Sequence, residues 1–313
     1  MPFVPSVDLL IWLALMLAVP FALLRRIPIA LLLLATSLLL ALFLGRIAAP
    51  TLILVGLLLA LAFKLPQRRQ RFCRQANSAK SAAANNEANE QSLIRFKQLA
   101  VFGAQGLILL SAVALTVHLL PGFDNLKLLD KVQASSGSAP FSMYLNLDKP
   151  LSLFLLLLAW PLVAGTPKPL PRRKIILLAL LFAATPALLG LASLSGAINW
   201  DPKLPGWWWL FALNNLLLTC VAEEVLFRGA LQQYLVKRGG ALLGITLASV
   251  LFGLAHLAGG WTLALFAALA GVLYGLVFQL SGRLWLAALC HFCLNFCHLL
   301  LLWRYRTSCA TGF

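Results

Sequence analysis

The most constraining feature of this sequence is a series of long apolar runs separated by short polar or basic segments. An α-helix needs roughly 20 apolar residues to cross the hydrocarbon core of a bilayer, which is about 30 Å thick. Such runs cover most of the chain, and only 11% of its 313 residues are charged. A soluble domain would carry about 25% charged residues. The sequence therefore predicts an all-α, polytopic integral membrane protein with about ten transmembrane helices, in the plasma (inner) membrane if the source is bacterial.

The orientation of these helices is predicted from their basic connections. The helices are expected at 7–24, 28–44, 50–64, 98–120, 150–165, 175–195, 207–228, 241–258, 261–281 and 284–303. Lys and Arg cluster after every odd-numbered helix, at 25–26, 64–74, 168–174, 237–238 and 283. Because cytoplasmic loops carry the excess of Lys and Arg, these connections are predicted to be cytoplasmic.

Composition excludes several other classes of protein. The net charge of +16 is concentrated in the basic connections, and no aromatic residues are interleaved with them as in an RNA-binding surface. Most of the six cysteines lie in apolar runs, which does not fit a disulfide framework. Nucleic acid is therefore excluded as a partner, and membrane lipids are expected.

A polar, low-complexity segment at 75–92 divides the chain and is predicted to be a flexible loop. The predicted organisation is a three-helix membrane part at 1–64, a basic and polar cytoplasmic loop at 65–97, and a seven-helix part at 98–313. The basic stretch 64–74 either fixes the topology or binds anionic lipid headgroups.

The first ionisable cluster inside a predicted span is Glu223, Glu224 and Arg228. Ionisable residues in a span indicate function by default, because they are costly there. Glu224 and Arg228 are four residues apart and are expected to pair on one helix face. Glu223 lies about 100° away around the helix and is predicted to stay free, as a general base requires. The alternative is that both carboxylates serve helix packing or pairing with Arg228.

Two further pairs are also four residues apart, Phe252 with His256 and His291 with Asn295. His291 and Asn295 can both donate hydrogen bonds toward one point, which is the geometry of an oxyanion site. Helix packing is the alternative role for both pairs. His118 is predicted to be a packing residue.

In this order and in neighbouring spans, the motifs EExxxR, FxxxH and HxxxN resemble the CPBP family of CAAX proteases and bacteriocin-processing enzymes, also called the Abi family. This family of intramembrane endopeptidases includes the type II CAAX prenyl endopeptidases. The resemblance covers residues 219–298 and implies a protease core at about 150–303.

The resemblance also implies roles for individual residues. Glu223 would be the base that activates water, with His256 beside it, and His291 and Asn295 would stabilise the oxyanion. Glu224, Arg228 and Phe252 would be supporting residues. In a metalloprotease version, Glu223, His256 and His291 would ligate a divalent metal such as zinc. The other version is a water activated by glutamate without metal.

The expected function is therefore an intramembrane endopeptidase that hydrolyses a peptide bond in a membrane-associated protein or peptide. Its cavity is expected to open to the cytoplasm, because Glu223 lies near the end of its predicted helix and close to Lys237 and Arg238. The alternatives are a non-catalytic binding or immunity protein and a transporter. The sequence leaves the oligomeric state and the identity of the substrate open.

Overall fold

A computed structural model describes residues 6–82, 87–135, 138 and 140–303. Within this part of the chain, six helices are long and apolar enough to cross a membrane, and Val7–Leu23 and Ile27–Phe43 are shorter apolar helices. The predicted class of a nearly all-α integral membrane protein is confirmed. The predicted number of about ten spans is not confirmed.

The helices and strands are, in chain order, α1 (Ser6–Leu23), α2 (Ile27–Phe43), α3 (Ala49–Ala82), α4 (Glu87–Thr116), β1 (Leu126–Val132), β2 (Phe141–Leu145), α5 (Leu151–Ala159), α6 (Arg172–Leu194), β3 (Asn199–Trp200), α7 (Trp208–Ala255), α8 (Trp261–Ser281), α9 (Leu284–Leu301) and β4 (Leu302–Trp303). Both pairs of strands, β1 with β2 and β3 with β4, are antiparallel.

Helix α7 is longer than the sequence predicted. It is broken only at Gly240, where φ is 82° and ψ is 173°. Its first part therefore runs from 208 to 239, and the predicted end at 228 is wrong. The physical reason is that Arg228 and Gln232 are buried and donate to backbone carbonyls of α8, so their polarity does not mark a membrane surface. Glu223 consequently lies near the middle of this helix.

Two π-helical stretches interrupt α7, at Asn214–Cys220 and Val225–Gln232. They lie on either side of the α-helical turn Val221–Glu224. Each π turn changes the direction in which the following side chains point, and such turns are frequent at functional sites.

The span predicted at 150–165 is instead the nine-residue helix α5, which is buried along its whole length and packs against α3 and α4. At 1.5 Å per residue it reaches about 14 Å, less than half of a bilayer core. It ends before Pro161, because the residue that precedes a proline is disfavoured in a helix, and Trp160 has φ −135° and ψ 85°.

The predicted loop at 65–97 is largely helical. Helix α3 continues to Ala82 and α4 begins at Glu87, while residues 83–86 lie outside the described residues. The segment between Pro66 and Gly103 holds neither proline nor glycine and is rich in Ala, Gln and Arg, all of which favour helix.

The segment before α5, for which the sequence predicted no strands, carries the β1–β2 hairpin. A β-bridge between Ile47 and Phe123 ties it to the end of α2. His118 at its start pairs with the buried Asp148, with 2.7 Å between Nδ1 and Oδ2. The prediction that His118 only packs is therefore wrong.

The two ends of the helix bundle differ in charge. At one end, which we call the basic end, three predicted basic connections meet: Arg25 donates to the carbonyl of Gly165, Lys168 to that of Gln279, and Arg283 to that of Lys168.

At the opposite end, which we call the acidic end, Arg46 bridges Asp8 and Asp124, both at 2.6 Å. The hydroxyl of Ser135, in the hairpin loop, donates to Asp201 beside β3. The hairpin therefore lies at the acidic end.

Candidate active site

The core of the site is the ion pair between Glu224 and Arg228, with 3.1 Å between Oε1 and Nη1 and both side chains fully buried. The expected pairing is therefore present. Arg228 also donates to the carbonyl of Gly271 at 2.9 Å. Its guanidinium lies over the rings of Phe252, at 4.6 Å, and Tyr274, at 5.2 Å. These cation–π contacts and hydrogen bonds fix the helix turn that carries both glutamates.

His291 joins this core from α9. Its Nδ1 lies 2.9 Å from Oε1 of Glu224, and its ring stacks on Tyr274 at 4.6 Å. Because a carboxylate only accepts hydrogen bonds, we assign the Nδ1 proton to this contact. The other ring nitrogen, Nε2, lies 3.9 Å from Oε2 of Glu223. That distance is too long for a direct hydrogen bond, but both atoms can contact one water molecule.

Glu223 is the more accessible of the two carboxylates, with 13% of its side chain exposed against none for Glu224. It is not free, however. Its Oε1 lies 2.6 Å from Nζ of Lys149, which is also 13% exposed. The expectation of an unpaired Glu223 is therefore wrong, and Lys149 is a site residue that sequence reasoning missed. The only sequence signal was a lysine two residues before the long apolar run 151–160.

His256 and Asn295 complete the predicted set. Nδ1 of His256 donates to the carbonyl of Phe252 at 2.8 Å, which leaves Nε2 available for other contacts. Asn295 donates from Nδ2 to Oδ1 of Asn215 at 3.2 Å and contacts Sγ of Cys220 at 3.7 Å. Asn215 was also missed by sequence reasoning, although an asparagine within an apolar span is itself a signal.

Two cavities lie near these residues. The first, which we call the apolar cavity, has a volume of about 250 Å³ and is lined by His256, His291 and Asn295 among apolar side chains of α6 and α8. The second, which we call the hairpin cavity, has a volume of about 570 Å³ and lies between β2 and the first part of α7. Asn215 lines the hairpin cavity and accepts from Asn295 of the apolar cavity, so the two cavities meet at this hydrogen bond.

Both cavities lie toward the acidic end. The apolar cavity reaches Ile198, after α6, and Thr262, at the start of α8, whereas the basic connections contact the opposite ends of these helices. Relative to the predicted orientation, this is the side opposite the cytoplasm. The prediction of cytoplasmic basic connections and the prediction of a cavity that opens to the cytoplasm therefore do not hold together. The second one depends on the predicted end of α7 at 228, which is wrong.

The described side chains do not fit a zinc site. Within the residues that the structure describes, no group of three His, Cys, Asp or Glu residues could hold a metal ion. Of the three ligands named from sequence, Glu223 is bound by the Lys149 ammonium, and a second cation at that carboxylate would be repelled. Nδ1 of His291 is held by Glu224, which leaves Nε2 free as in most metal-binding histidines, so the misfit lies at Glu223 and not at His291.

One known protein family matches the segment that carries these residues. Residues 205–297 match the family model described as "Type II CAAX prenyl endopeptidase Rce1-like". No curated protein and no solved structure shows significant similarity to the chain. The matched segment covers all of α7 and α8 and most of α9, and it includes every residue of the three motifs. The chain is therefore similar, over the segment that carries Glu223 to Asn295, to the Rce1-like family of CAAX proteases, and the resemblance inferred from the three motifs is confirmed.

Proposed function

We propose that this protein is an intramembrane endopeptidase that hydrolyses a peptide bond in a membrane-associated protein, with Glu223 as the base that activates water. The observation that carries the proposal is the arrangement around His291. Its Nδ1 is bound by Glu224, and its Nε2 lies 3.9 Å from Oε2 of Glu223. A carboxylate and an imidazole thus border one point inside the bundle. The similarity to CAAX proteases favours an enzyme over the transporter or immunity-protein alternative.

The proposed first step is attack of water on the peptide carbonyl. Glu223 accepts one proton from the water as the oxygen bonds to the carbonyl carbon, and a tetrahedral oxyanion forms. The protonated Glu223 then gives this proton to the amine that leaves, so that the carbon–nitrogen bond breaks and a carboxylic acid and an amine are released. The base is thereby returned to its starting form, and no covalent intermediate with the enzyme is needed.

The oxyanion is assigned to His291 and Asn295. The Glu224 carboxylate accepts from Nδ1 and fixes the orientation of the ring. Nε2 donates to the oxyanion when the ring carries a second proton. The Nδ2 group of Asn295 is a second donor on the same face of α9, one turn further along. His256 is proposed to bind the substrate or the water through Nε2, since its Nδ1 is engaged by Phe252.

The test is proteolysis of a library of lipid-anchored peptides by the purified protein in liposomes. We expect the wild type to cleave and Glu223→Gln and His291→Gln to lose cleavage by about 10²-fold or more. Asp130→Asn, on the exposed surface of β1, is the matched control and should cleave normally. A Glu223→Gln variant that cleaves at the wild-type rate would contradict the proposal.

The same assay examines metal dependence. Since the described residues do not fit a zinc site, we expect a strong chelator to leave cleavage unchanged. Loss of activity with chelator and its recovery with zinc would favour the metalloprotease version instead. If the wild type binds peptides without cleaving them and Glu223→Gln binds them too, the binding-protein alternative is favoured.

A further inference from the structure

We propose that the substrate reaches this site from the non-cytoplasmic side, through the hairpin cavity, as an extended peptide segment next to its own membrane anchor. This inference rests on the proposed function and specifies its substrate class: membrane-anchored proteins whose cleaved segment lies outside the cytoplasm.

The orientation of the bundle in the membrane follows from its charges. Positively charged connections remain in the cytoplasm during membrane insertion. Arg25, Lys168 and Arg283 meet at the basic end and bind backbone carbonyls there. At the other end, Arg46 is neutralised by Asp8 and Asp124, and Lys127 and Lys203 pair with Asp130 and Asp201. The basic end is therefore assigned to the cytoplasm, and the hairpin lies outside it.

The backbone is closely packed at the basic end. A Cβ at Gly229 would lie 2.7 Å from the carbonyl oxygen of Val163, and a Cβ at Gly165 would collide with the backbone of Gly282. Gln233 donates to the carbonyl of Leu162 at 3.0 Å. These contacts lie between Glu223 and the basic end, and they hold α7 and the α8–α9 turn tightly against the segment after α5.

The hairpin cavity has a lining that suits an extended peptide. It is lined by the β2 residues Phe141–Tyr144 and by the polar side chains Asn146, Asn214 and Asn215. Among the described strands, β2 pairs with β1 alone, so its second edge is available for addition of a strand. The Oδ1 atom of Asn214 is buried and has no hydrogen-bond partner among the described residues. A backbone N–H of a bound peptide would supply that partner.

The hairpin cavity leads toward Glu223, the proposed base. Thr219, at its inner end, precedes Glu223 by about one helix turn. On the other side of the cavity, His118 is bonded to Asp148, which directly precedes Lys149, the partner of Glu223. A peptide in this cavity would thus approach the Glu223 carboxylate.

The experiment first measures the side on which the cavity opens. Ser142→Cys places a thiol on the exposed β2 residue that lines the hairpin cavity, and Arg173→Cys places one at the basic end of α6. Both are made in a protein in which Cys73 and Cys309 are replaced by Ser, and that parent protein gives the background signal. A membrane-impermeant maleimide is applied to right-side-out and to inverted membrane vesicles of a bacterial expression host.

We expect Ser142→Cys to be labelled in right-side-out vesicles and to lose labelling in inverted ones, and Arg173→Cys to behave in the opposite way. The reverse pattern would overturn the proposal. This readout needs no proteolysis, so it stands even if the protein cleaves nothing. In that case the proposed function fails, while the outward opening of the cavity is still measured.

The second readout examines the route. The two variants are modified with a bulky maleimide after purification and are assayed on reporters that carry the test segment on one or the other side of a membrane anchor. We expect cleavage only of the reporter whose segment lies on the hairpin side, and loss of that cleavage when Ser142→Cys is modified. Modified Arg173→Cys should retain cleavage. Undiminished cleavage by modified Ser142→Cys, or cleavage only of the opposite reporter, would overturn the proposal.

Discussion

Nζ of Lys149 lies 2.6 Å from Oε1 of Glu223, across a sequence separation of 74 residues. The contact is made because α5 is too short to cross the bundle and begins at the level of the Glu223 turn. The other carboxylate oxygen of Glu223, Oε2, lies on the side of His291, 3.9 Å from its Nε2. Lys149 therefore orients the carboxylate and offsets part of the cost of burying its charge.

Removing this lysine should lower kcat more than it changes KM. We expect about a 10²-fold loss of kcat in Lys149→Met, because the carboxylate loses its fixed orientation toward the water. Lys149→Arg restores a cation and should recover part of that loss. Lys127→Met, at an exposed lysine of β1, is the control and should leave both constants unchanged. Equal kcat values for Lys149→Met and the wild type would contradict a positioning role.

Breaking the buried pair of Glu224 and Arg228 should destabilise the protein. Arg228→Met leaves a fully buried carboxylate without its cation, which costs about 3–5 kcal/mol of unfolding free energy. The double variant Glu224→Gln, Arg228→Met should be less destabilised than the sum of the two single variants, since no unpaired charge remains. The measurement is thermal unfolding of the detergent-solubilised proteins. Strictly additive effects would show that the two residues do not stabilise each other.

The parts of the site that were predicted from sequence are those set by helix periodicity. Glu224 with Arg228, and His291 with Asn295, are each four residues apart, so each pair shares a helix face whatever the tertiary fold. The contacts that were missed, Lys149 with Glu223 and Asn215 with Asn295, join distant segments. Their formation depends on the path of α5 and on the π turns of α7, which have no periodic signal.

The errors in the predicted fold have a common physical cause. Polar residues are expected to mark the ends of spans, but Arg228 and Gln232 are buried and donate to backbone carbonyls of α8. Gly275 leaves the space that Gln232 needs, since a Cβ there would lie 2.8 Å from its Oε1. Conversely, an apolar run was taken to mark a span, but α5 is buried in protein. Hydropathy does not distinguish burial in lipid from burial between helices.

Stability at the acidic end should depend on pH through Asp201. The hydroxyl of Ser135 donates to its carboxylate, and this contact, with the charge of Lys203, lowers the pKa of Asp201 below its usual value of 3.8. Because the pKa is lower in the folded state, the ionised carboxylate stabilises the fold above the usual value. This stabilisation is lost as the pH falls through the lowered pKa.

Ser135→Ala should therefore be less stable than the wild type at neutral pH, and the difference should vanish once the carboxyl group is protonated in both proteins. The measurement is the melting temperature of each as a function of pH. Ser195→Ala, which removes a hydroxyl that donates only to a backbone carbonyl, is the control, and its effect should not vary with pH. A constant difference between Ser135→Ala and the wild type would exclude this linkage.

Closure of the basic end can be tested with two glycines that share a backbone conformation. Gly282 has φ +63° and Gly196 has φ +75°, so alanine is strained by about 1 kcal/mol at either position. At Gly282 the new Cβ would also collide with the carbonyl oxygen of Thr166, whereas at Gly196 no atom lies within 4 Å.

Gly282→Ala should therefore lower the melting temperature clearly more than Gly196→Ala. The difference between the two isolates the packing of the α8–α9 turn against the segment after α5, because the backbone strain is common to both. Thermal unfolding in detergent measures it. If the two variants unfold at the same temperature, the basic end is loosely packed and does not close the site against a peptide from that side.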